Sequence, residues 1–388
     1  MTATDVAPVI SDAGRRYLQF HLTDDVGPVR LRALREHFGT LDQALGASIS
    51  QLQQVEGIGP RTAEAIFRSR GGDHVEREIQ RVADHGLHIV CAEDADYPAA
   101  LCAIPDPPIC LYVRGRIEPQ DTVAVAIVGT RKCSHYGREQ ALRFGGLLGN
   151  AGFTVVSGLA RGVDAHSHRG ALQSGGRTIS VLGNGLASIY PPENASLAEE
   201  VAACGAVISE VPVDAQPSRE NFPRRNRIIA GLSLGIIIIE AGQRSGALIT
   251  ARLASEYNRE VFALPGRVDQ PEHTAGSNGL IRKSEAKLIT CLEDILDELG
   301  PVGEVMGRPA RGTSSPTLGQ SPSAPLPALS ENEQAVWQTL INDFDDAEAI
   351  VKHCGLDAAQ TMSALTSLQL KGLVRRSPGQ KFSPRNSR

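Results

Sequence analysis

The sequence predicts an α/β protein built around an extended Rossmann-like parallel sheet with helices on both faces. Short β-branched runs alternate with helical segments from residue 123 onward, and the run Ile236–Ile239 is apolar without interruption. Several predicted strands also end in glycine-containing turns that lead into helices. Parallel strands covered on both faces show such unbroken apolar runs, and strand–turn–helix units of this kind are typical of doubly wound sheets. We expect a small helical domain before this sheet and a winged-helix-like domain after it.

Composition fits a globular protein of several domains. The 388 residues exceed one ordinary core, and 41% hydrophobic with 21% charged residues is close to the globular average. No apolar run approaches the roughly 20 residues that span a bilayer, and the N-terminus lacks a secretory pattern, so we expect a cytoplasmic protein. Seven cysteines form no Cys-x-x-Cys pair, and we expect no metal and no cofactor. The net charge of -5 requires any phosphate-binding surface to be local.

Residues 1–83 are predicted to form a helix-hairpin-helix/SAM-like helical domain. Apolar residues recur at helical spacing from Leu18 to Arg70, and Val55–Pro60 contains a Gly-Ile-Gly turn that leads into a helix. Glycines there permit positive φ, and the following helix presents free N–H groups to a phosphate. An earlier turn, Val26-Gly27-Pro28, is a degenerate copy. A helical packing module without DNA contact fits this pattern equally well.

Residues 84–299 are predicted to form the Rossmann-like DNA-binding domain. The predicted strands are 87–91, 109–113, 123–129, 154–157, 178–182, 206–210, 235–240 and 260–264. The predicted helices are 136–151, 164–174, 194–204, 224–233, 246–258 and 292–299. The four isoleucines of strand 235–240 place it at the centre of the sheet.

The last ninety residues are predicted to contain a linker and a small domain. Residues 300–328 are rich in Pro, Gly, Ser and Thr and have few large apolar side chains, which predicts a flexible linker. Residues 329–388 show three helical segments followed by two short extended stretches, in the order of a winged helix. A protein-docking module is an equally good interpretation of this domain.

Four turns at the predicted carboxyl edge of the sheet suggest a binding track for a polyanion. Ligands of open α/β sheets bind at this edge, helix N-termini favour anions, and arginine holds phosphate through paired hydrogen bonds. The candidate residues are Gly129, Thr130, Arg131, Ser134, Ser157, Gly158, Arg161, Phe222, Arg224, Arg225, Asn226, Arg227, Ser245 and Gly246.

The first two turns each combine glycine, a hydroxyl and an arginine. In the first, Gly129 allows close approach of a ligand, Arg131 can hold a phosphate and Ser134 can cap the next helix. The second, Ser157–Asp164, repeats the pattern, and Asp164 is most simply an N-cap. Plain strand-to-helix turns with surface arginines are the alternative interpretation.

The third turn adds the aromatic ring of Phe222, and the fourth turn, after the strand 235–240, is expected to close the binding crevice at this edge of the sheet. The segment Phe222–Leu232 begins with an aromatic ring and three arginines, an arrangement that suits a flexible strand whose bases stack while cations follow its phosphates. A helix start with solvated arginines and Phe222 in the core is the alternative. The segment Glu240–Thr250 follows the central strand and begins a helix. Glu240 could accept a hydrogen bond from a base or sugar, or hold Arg225 or Arg227 in place.

The sequence argues against energy-driven and dinucleotide chemistry. It contains no G-x-x-x-x-G-K-[ST] stretch, and the turn at residue 129 is not G-x-G-x-x-G. No nucleophile and base stand out by spacing. We therefore expect a binding protein with no catalytic residues and not an enzyme.

The ordered motifs resemble the DNA-processing protein A (DprA/Smf) family. They are Gly-Thr-Arg at 129, Ser-Gly-Leu-Ala-Arg-Gly-Val-Asp at 157, Arg-Asn-Arg-Ile-Ile-Ala-Gly-Leu-Ser at 225 and Ser-Gly-Ala-Leu-Ile-Thr-Ala at 245. The resemblance implies a recombination mediator of natural transformation that binds single-stranded DNA, loads the RecA recombinase and forms a homodimer through the last part of the Rossmann-like domain. It also implies that Arg131, Arg225 and Arg227 hold phosphates. Residues 283–286 depart from the family pattern, which has a glycine–alanine pair there.

One enzymatic alternative stays open at this point. Rossmann-like phosphoribohydrolases hydrolyse nucleotides through a Pro-Gly-Gly-x-Gly-Thr loop, where this chain has Gly242-Gln243-Arg244-Ser245-Gly246. An interaction scaffold that acts through the tail is a third possibility.

Overall fold

The computed structural model describes residues 9–306, 330–341, 347–370, 374–377 and 381–384. The chain divides into two compact units, the first ending at residue 311 and the second beginning at residue 312. Within the described ranges, no helix combines the length and the apolar character needed to cross a bilayer.

Six helices open the first unit. They are α1 (Asp12–His21), α2 (Pro28–Phe38), α3 (Leu41–Gly46), α4 (Ile49–Leu52), α5 (Pro60–Ser69) and α6 (His74–Asp84). The Gly-Ile-Gly turn precedes α5 as predicted, with Gly57 at φ +81° and Gly59 as the N-cap. Leu18 and Ile66 of these helices belong to the same buried cluster as Tyr112 and Val207 of the sheet. The helical module therefore shares a core with the sheet, and the domain boundary after residue 83 stays a prediction.

One nine-stranded sheet forms the centre of the unit. Its strands are β1 (His88–Cys91), β2 (Cys110–Gly115), β3 (Ala124–Val128), β4 (Thr154–Ser157), β5 (Thr178–Leu182), β6 (Ala206–Ser209), β7 (Gly235–Ile238), β8 (Glu260–Ala263) and β9 (Lys287–Leu288). Their order is β1-β2-β6-β5-β4-β3-β7-β8-β9. The strands from β6 to β9 in this order run parallel, while β2 pairs antiparallel with both β1 and β6. The predicted parallel α/β sheet is confirmed.

Helices cover both faces of this sheet. They are α7 (Ala99–Cys102), α8 (His135–Asn150), α9 (Val163–Gln173), α10 (Ala195–Cys204), α11 (Asn221–Leu232), α12 (Gly246–Glu256), α13 (Pro271–Arg282), α14 (Glu293–Glu298) and α15 (Pro301–Met306). Strand β7 lies between β3 and β8, and its four residues are buried, as the isoleucine run predicts. Because the chain winds outward from β3 in one direction and from β7 in the other, the strand order reverses between them. A crevice is expected outside the carboxyl ends of strands at such a switch point.

Several segments differ from the sequence prediction, among them α7 and β9, where no helix or strand was predicted. Helix α13 occupies residues for which we predicted no element. Helix α15 lies at the start of the predicted linker, and Met306 packs on the core of the first unit; residues 307–328 of that linker lie outside the described residues. Ser284 adopts φ +58° within the 283–286 departure, a conformation that favours glycine.

The second unit contains three helices and a hairpin. These are α16 (Glu331–Ile341), α17 (Ala347–His353), α18 (Ala358–Leu370), β10 (Val374–Ser377) and β11 (Lys381–Pro384), with β10 antiparallel to β11. Val336, Leu365 and Phe382 belong to its buried core. The order of elements is that of the predicted winged helix.

A buried histidine makes the first unit sensitive to acid. His168 of α9 is fully buried, and its Nδ1 lies 2.6 Å from the Thr178 hydroxyl, which donates to the carbonyl of Val155. The Thr178 hydroxyl has thus used its one proton and can only accept a hydrogen bond from His168. Nδ1 therefore carries the proton of a neutral imidazole ring. Burial, and secondarily the charge of Arg225, lowers the pKa of His168 to about 3. The unfolded chain thus binds one more proton than the native protein between that pKa and the ordinary value near 6.5.

We predict that the free energy of unfolding falls as the pH drops below about 6.5, with His168 contributing about 1.4 kcal/mol per pH unit. Gln at this position retains a donor for Thr178 but does not titrate, so H168Q should have a pH slope shallower by about that amount. Urea unfolding between about pH 7 and about pH 5, followed by circular dichroism, measures both slopes. Equal slopes in the two proteins would contradict the assignment.

Candidate nucleic-acid interface

An open cleft of about 1150 Å³ lies at the carboxyl ends of β3 and β7, at the switch point of the sheet. The turns after both strands line it, together with the start of α11 and the first turns of α12 and α13. Of the candidate residues, it contains Gly129, Thr130, Arg131, Phe222, Arg225, Asn226, Ser245 and Gly246. The cleft lies where the sequence predicted the crevice.

Two aromatic rings stand beside an arginine in this cleft. The ring centroids of Tyr190 and Phe222 are 5.7 Å apart, tilted by 40°, and 36% of Tyr190 is exposed. The guanidinium carbon of Arg131 lies 5.3 Å from the centroid of the Phe222 ring. Arg131 is exposed and forms no ion pair with any residue that the structure describes. The rings offer a stacking surface for planar groups, and the guanidinium beside them offers a site for an anion.

Two further arginines give the cleft its positive charge. Arg219 and Arg244 line it, are exposed, and have no acidic partner among the described residues. The acidic groups in the lining are Asp164 and Glu272. Asp164 is almost fully buried, and burial raises the pKa of its carboxyl, with the charge of Arg225 opposing that rise. Glu272 is exposed, but it is outnumbered by the exposed guanidiniums of Arg131, Arg219 and Arg244. The exposed part of the lining is therefore cationic on balance, although the chain carries a net negative charge.

The start of α8 is already occupied by a carboxylate of the protein. Buried Glu240 accepts hydrogen bonds from the Ser134 backbone N–H (2.9 Å) and from the Ser134 hydroxyl (2.5 Å). The same hydroxyl accepts from Gly137 N–H as the helix cap. The capping role of Ser134 is confirmed, but its hydroxyl is committed and it does not line the cleft. Glu240 holds neither Arg225 nor Arg227, contrary to one of our expectations.

The second turn is shaped from beneath by Arg225. This guanidinium is 7% exposed and donates to the carbonyls of Gly158 (2.7 Å) and Val181. Burial lowers the pKa of Arg225 to about 10, and it remains charged at neutral pH. A Cβ at Gly158 would collide with the guanidinium, so the close approach requires glycine. Arg225 therefore fixes the turn, whereas the family resemblance implied that it holds a phosphate.

Three other predicted residues do not line the cleft. Arg227 is 6% exposed and pairs with Glu210 and, at 3.0 Å, with Asp106, so its burial contradicts the expected phosphate contact. The hydroxyl of buried Ser157 donates to the Ile127 carbonyl at 2.6 Å. Arg224 is exposed but lies in a small depression beside Glu210 and outside the cleft. Residues 225–232 all lie on buried positions of α11, which explains the burial of Arg227.

Arg161 lies beside the cleft. It lines a small side pocket with Gly158, Arg131, Phe222 and Arg225, so the arginines of the first, second and third turns lie on one face. Its guanidinium forms a surface ion pair with Glu193. Exposed pairs contribute only about 0–1 kcal/mol, so a ligand phosphate can compete for Arg161.

The start of α12 is the helix terminus that opens into the cleft. Ser245 is its N-cap and accepts from the Ala247 N–H at 3.3 Å. Gly246 is exposed, and a Cβ there would meet open space. Glu240 binds the start of α8. Asp164 lies in the first turn of α9, whose N-cap is Gly162 and not Asp164 as we expected. The first turn of α12 has no acidic residue, so its dipole is available to an external anion.

Three residues that line the cleft were not predicted from the sequence. Tyr190, Arg219 and Glu272 lie outside the glycine turns on which the prediction was based. The fold brings Tyr190 to Phe222 from the loop after β5. Both residues stand next to proline in the sequence, which marks a loop but does not indicate a shared ring pair.

Family models match nearly the whole chain. The model described as "DNA recombination-mediator protein A" matches residues 88–300, "SAM-like Helix-hairpin-helix tandem" matches 24–69 and "DprA winged helix domain" matches 320–380. The flanking matches confirm the helix-hairpin-helix and winged-helix predictions. Among curated proteins, Protein Smf of Synechocystis is 35% identical over 95% of this chain and 98% of its own length. Protein Smf of Escherichia coli is 38% identical over 84% of this chain and 85% of its own length.

A solved structure supports the same relationship. The X-ray structure of DNA processing protein A from Streptococcus pneumoniae superposes with a TM-score of 0.64 at 33% sequence identity. The match covers 74% of this chain and 98% of that chain.

We predict that the two arginines of the cleft differ in their effect on stability. R225M should lower the free energy of unfolding by about 2–5 kcal/mol, because the carbonyls of Gly158 and Val181 lose their buried donor and Asp164 loses its neighbouring charge. R131M, the matched control at an exposed position, should change it by no more than about 0.5 kcal/mol. Urea unfolding followed by circular dichroism compares them. Equal stabilities would mean that Arg225 does not brace the turn.

Proposed function

We propose, from the premise that this chain belongs to the DNA recombination-mediator protein A family, that its cleft binds single-stranded DNA. The observation that carries the proposal is the meeting of the Tyr190 and Phe222 rings with unpaired Arg131 in one cleft. Bases of a single strand stack on such rings while its phosphates lie along the arginines. Arg219, Arg244 and the start of α12 add to the cationic lining.

The ring pair favours a single strand over a duplex. Bases in a duplex stack on one another, and only an unpaired strand can place them on protein rings. The cleft also holds no strongly basic helix that would fit a major groove, and the net charge of -5 does not favour general duplex binding. Stacking is tolerant of base identity, so we propose binding with little sequence preference.

The proposed activity is binding without catalysis. The described lining of the cleft contains no histidine or cysteine, and the hydroxyl of Ser245 caps a helix. Within the described residues, no group of three or more metal-ligating side chains is arranged to hold a metal ion. The description of the family as a recombination mediator supports the proposal that the protein positions a strand for another protein.

We further propose that the strand is delivered to the RecA recombinase, since the family is one of recombination mediators. We also propose a homodimer through the last part of the Rossmann-like domain. Among the strands that the structure describes, β9 pairs with β8 alone, and Leu288 on it is 46% exposed. An open edge with an exposed apolar side chain suits pairing with a second copy. The rate of RecA filament formation on strands coated with single-strand-binding protein tests the delivery.

We predict that the dimer depends on the β9 edge. L288D should lower the mass measured by light scattering from that of two chains to that of one, because the charge opposes burial of this edge. Leu288 does not line the cleft, so a short oligo-dT should bind the variant as it binds the parent protein. A dimeric L288D, or a monomeric parent protein, would contradict this interface.

We predict that oligo-dT binds this protein with an affinity that falls linearly with the logarithm of salt concentration. R131A should lose a phosphate contact and F222A a stacking platform worth about 1–3 kcal/mol, which is roughly five- to 150-fold in affinity. Fluorescence anisotropy with labelled oligo-dT, and with a duplex of equal length, measures these effects. R77A, an exposed arginine of α6 remote from the cleft lining, is the matched control.

Three outcomes would overturn the proposal. They are binding that does not depend on salt, equal affinity for duplex and single strand, and full affinity in both cleft variants. R225M is unsuitable for this test because its fold is expected to be weakened.

A further inference from the structure

A second groove adjoins the cleft and has a different lining. This groove, which we call the α12/α13 groove, has a volume of about 560 Å³ and lies between those two helices. Gln243 and Ala275 line both spaces, so the groove begins where the cleft ends. The two spaces are therefore adjacent, and a polymer that leaves the cleft at this end reaches the groove.

The α12/α13 groove is cationic. Arg252, Arg282 and Lys283 line it, opposed in the lining by Glu285. Arg282 is exposed and has no ion-pair partner among the described residues. Arg252 is 71% exposed and 3.5 Å from Glu256, and Lys283 is 62% exposed and 3.8 Å from Glu285. Exposed pairs at such distances are worth about 0–1 kcal/mol, so phosphates can displace the two carboxylates.

Most of the uncharged part of the groove lining is small or aliphatic. It includes Ala251 and Leu248 of α12 and Gly276, Gly279 and Leu280 of α13, and a Cβ at Gly279 would meet open space. The described lining contains no aromatic ring, in contrast to the cleft. The groove therefore offers positive charge and room for a backbone but no platform on which a base could stack.

We propose that the α12/α13 groove binds the sugar-phosphate backbone of single-stranded DNA as the strand leaves the cleft. This inference rests on the proposed function and extends it: the cleft holds bases and phosphates, and the groove holds phosphates alone. Arg252 and Arg282 are the principal contacts. The groove then adds affinity only for strands long enough to occupy both spaces, and does so regardless of base identity.

The test compares two lengths of oligo-dT on the full chain. Oligomers of about 6 and about 20 nucleotides bracket the size of most single-strand sites. R252A/R282A should bind the long oligomer about tenfold more weakly, and its salt slope should fall by about 1.4, since each lost phosphate contact contributes about 0.7. Its affinity for the short oligomer should equal that of the parent protein.

Matched variants separate charge from folding and from assembly. R252K/R282K should retain most of the affinity for the long oligomer, and R15A/R77A, which removes two exposed arginines of α1 and α6, should leave it unchanged. Light scattering should show the same mass for all variants. If the parent protein binds neither oligomer, the proposed function itself fails. If R252A/R282A binds the long oligomer normally, loses affinity for both lengths equally, or changes its mass, the cleft stands but the groove proposal is overturned.

Discussion

The junction of β3 and β7 through Glu240 is the constraint on which the candidate site depends. The backbone carbonyl of Glu240 accepts from Thr130 N–H at 2.7 Å, and its buried carboxylate accepts twice from Ser134. Glu240, which lies two residues after β7, thus fixes the turn after β3 and holds Ser134, the N-cap of α8, in place. This carboxylate occupies the start of α8, so an external anion cannot bind there. Arg131 of the same turn is exposed and lines the cleft, where a ligand can bind.

The arginines around the cleft divide into two functional classes. Arg225 and Arg227 are buried, donate to carbonyls or carboxylates of the protein, and hold α11 against the sheet. Arg131, Arg219 and Arg244 are exposed and unpaired among the described residues. Buried guanidiniums carry a desolvation cost that their partners offset, whereas exposed ones keep their donors for an external phosphate. The same side chain therefore serves as a brace in one position and as a ligand contact in another.

Sequence patterns predicted the central strands well because β3, β4, β5 and β7 are fully buried, and glycine-containing turns follow β3 and β4. They failed at α13, whose sequence contains Gly276, Gly279 and several hydroxyl residues and has weak intrinsic helix propensity. Tertiary contacts hold this helix: Gly276 N–H donates to the Ala241 carbonyl at 2.7 Å, and a Cβ at Gly276 would meet the same loop. The cluster at 224–227 was identified as a ligand site because composition does not distinguish buried from exposed arginine. The apolar run Ile228–Leu232 that follows it was the available sign of burial.

In the proposed complex, an unpaired DNA strand lies on the rings of Tyr190 and Phe222 and on the exposed arginines of the cleft between β3 and β7. Photochemical cross-linking of oligo-dT to the full chain, followed by mass spectrometry of the peptides, tests it most directly. We expect oligo-dT adducts on Tyr190 and Phe222. These adducts should disappear when unlabelled single-stranded DNA competes and persist when duplex DNA competes. Adducts confined to the helices of residues 12–84 or to the second unit would contradict it.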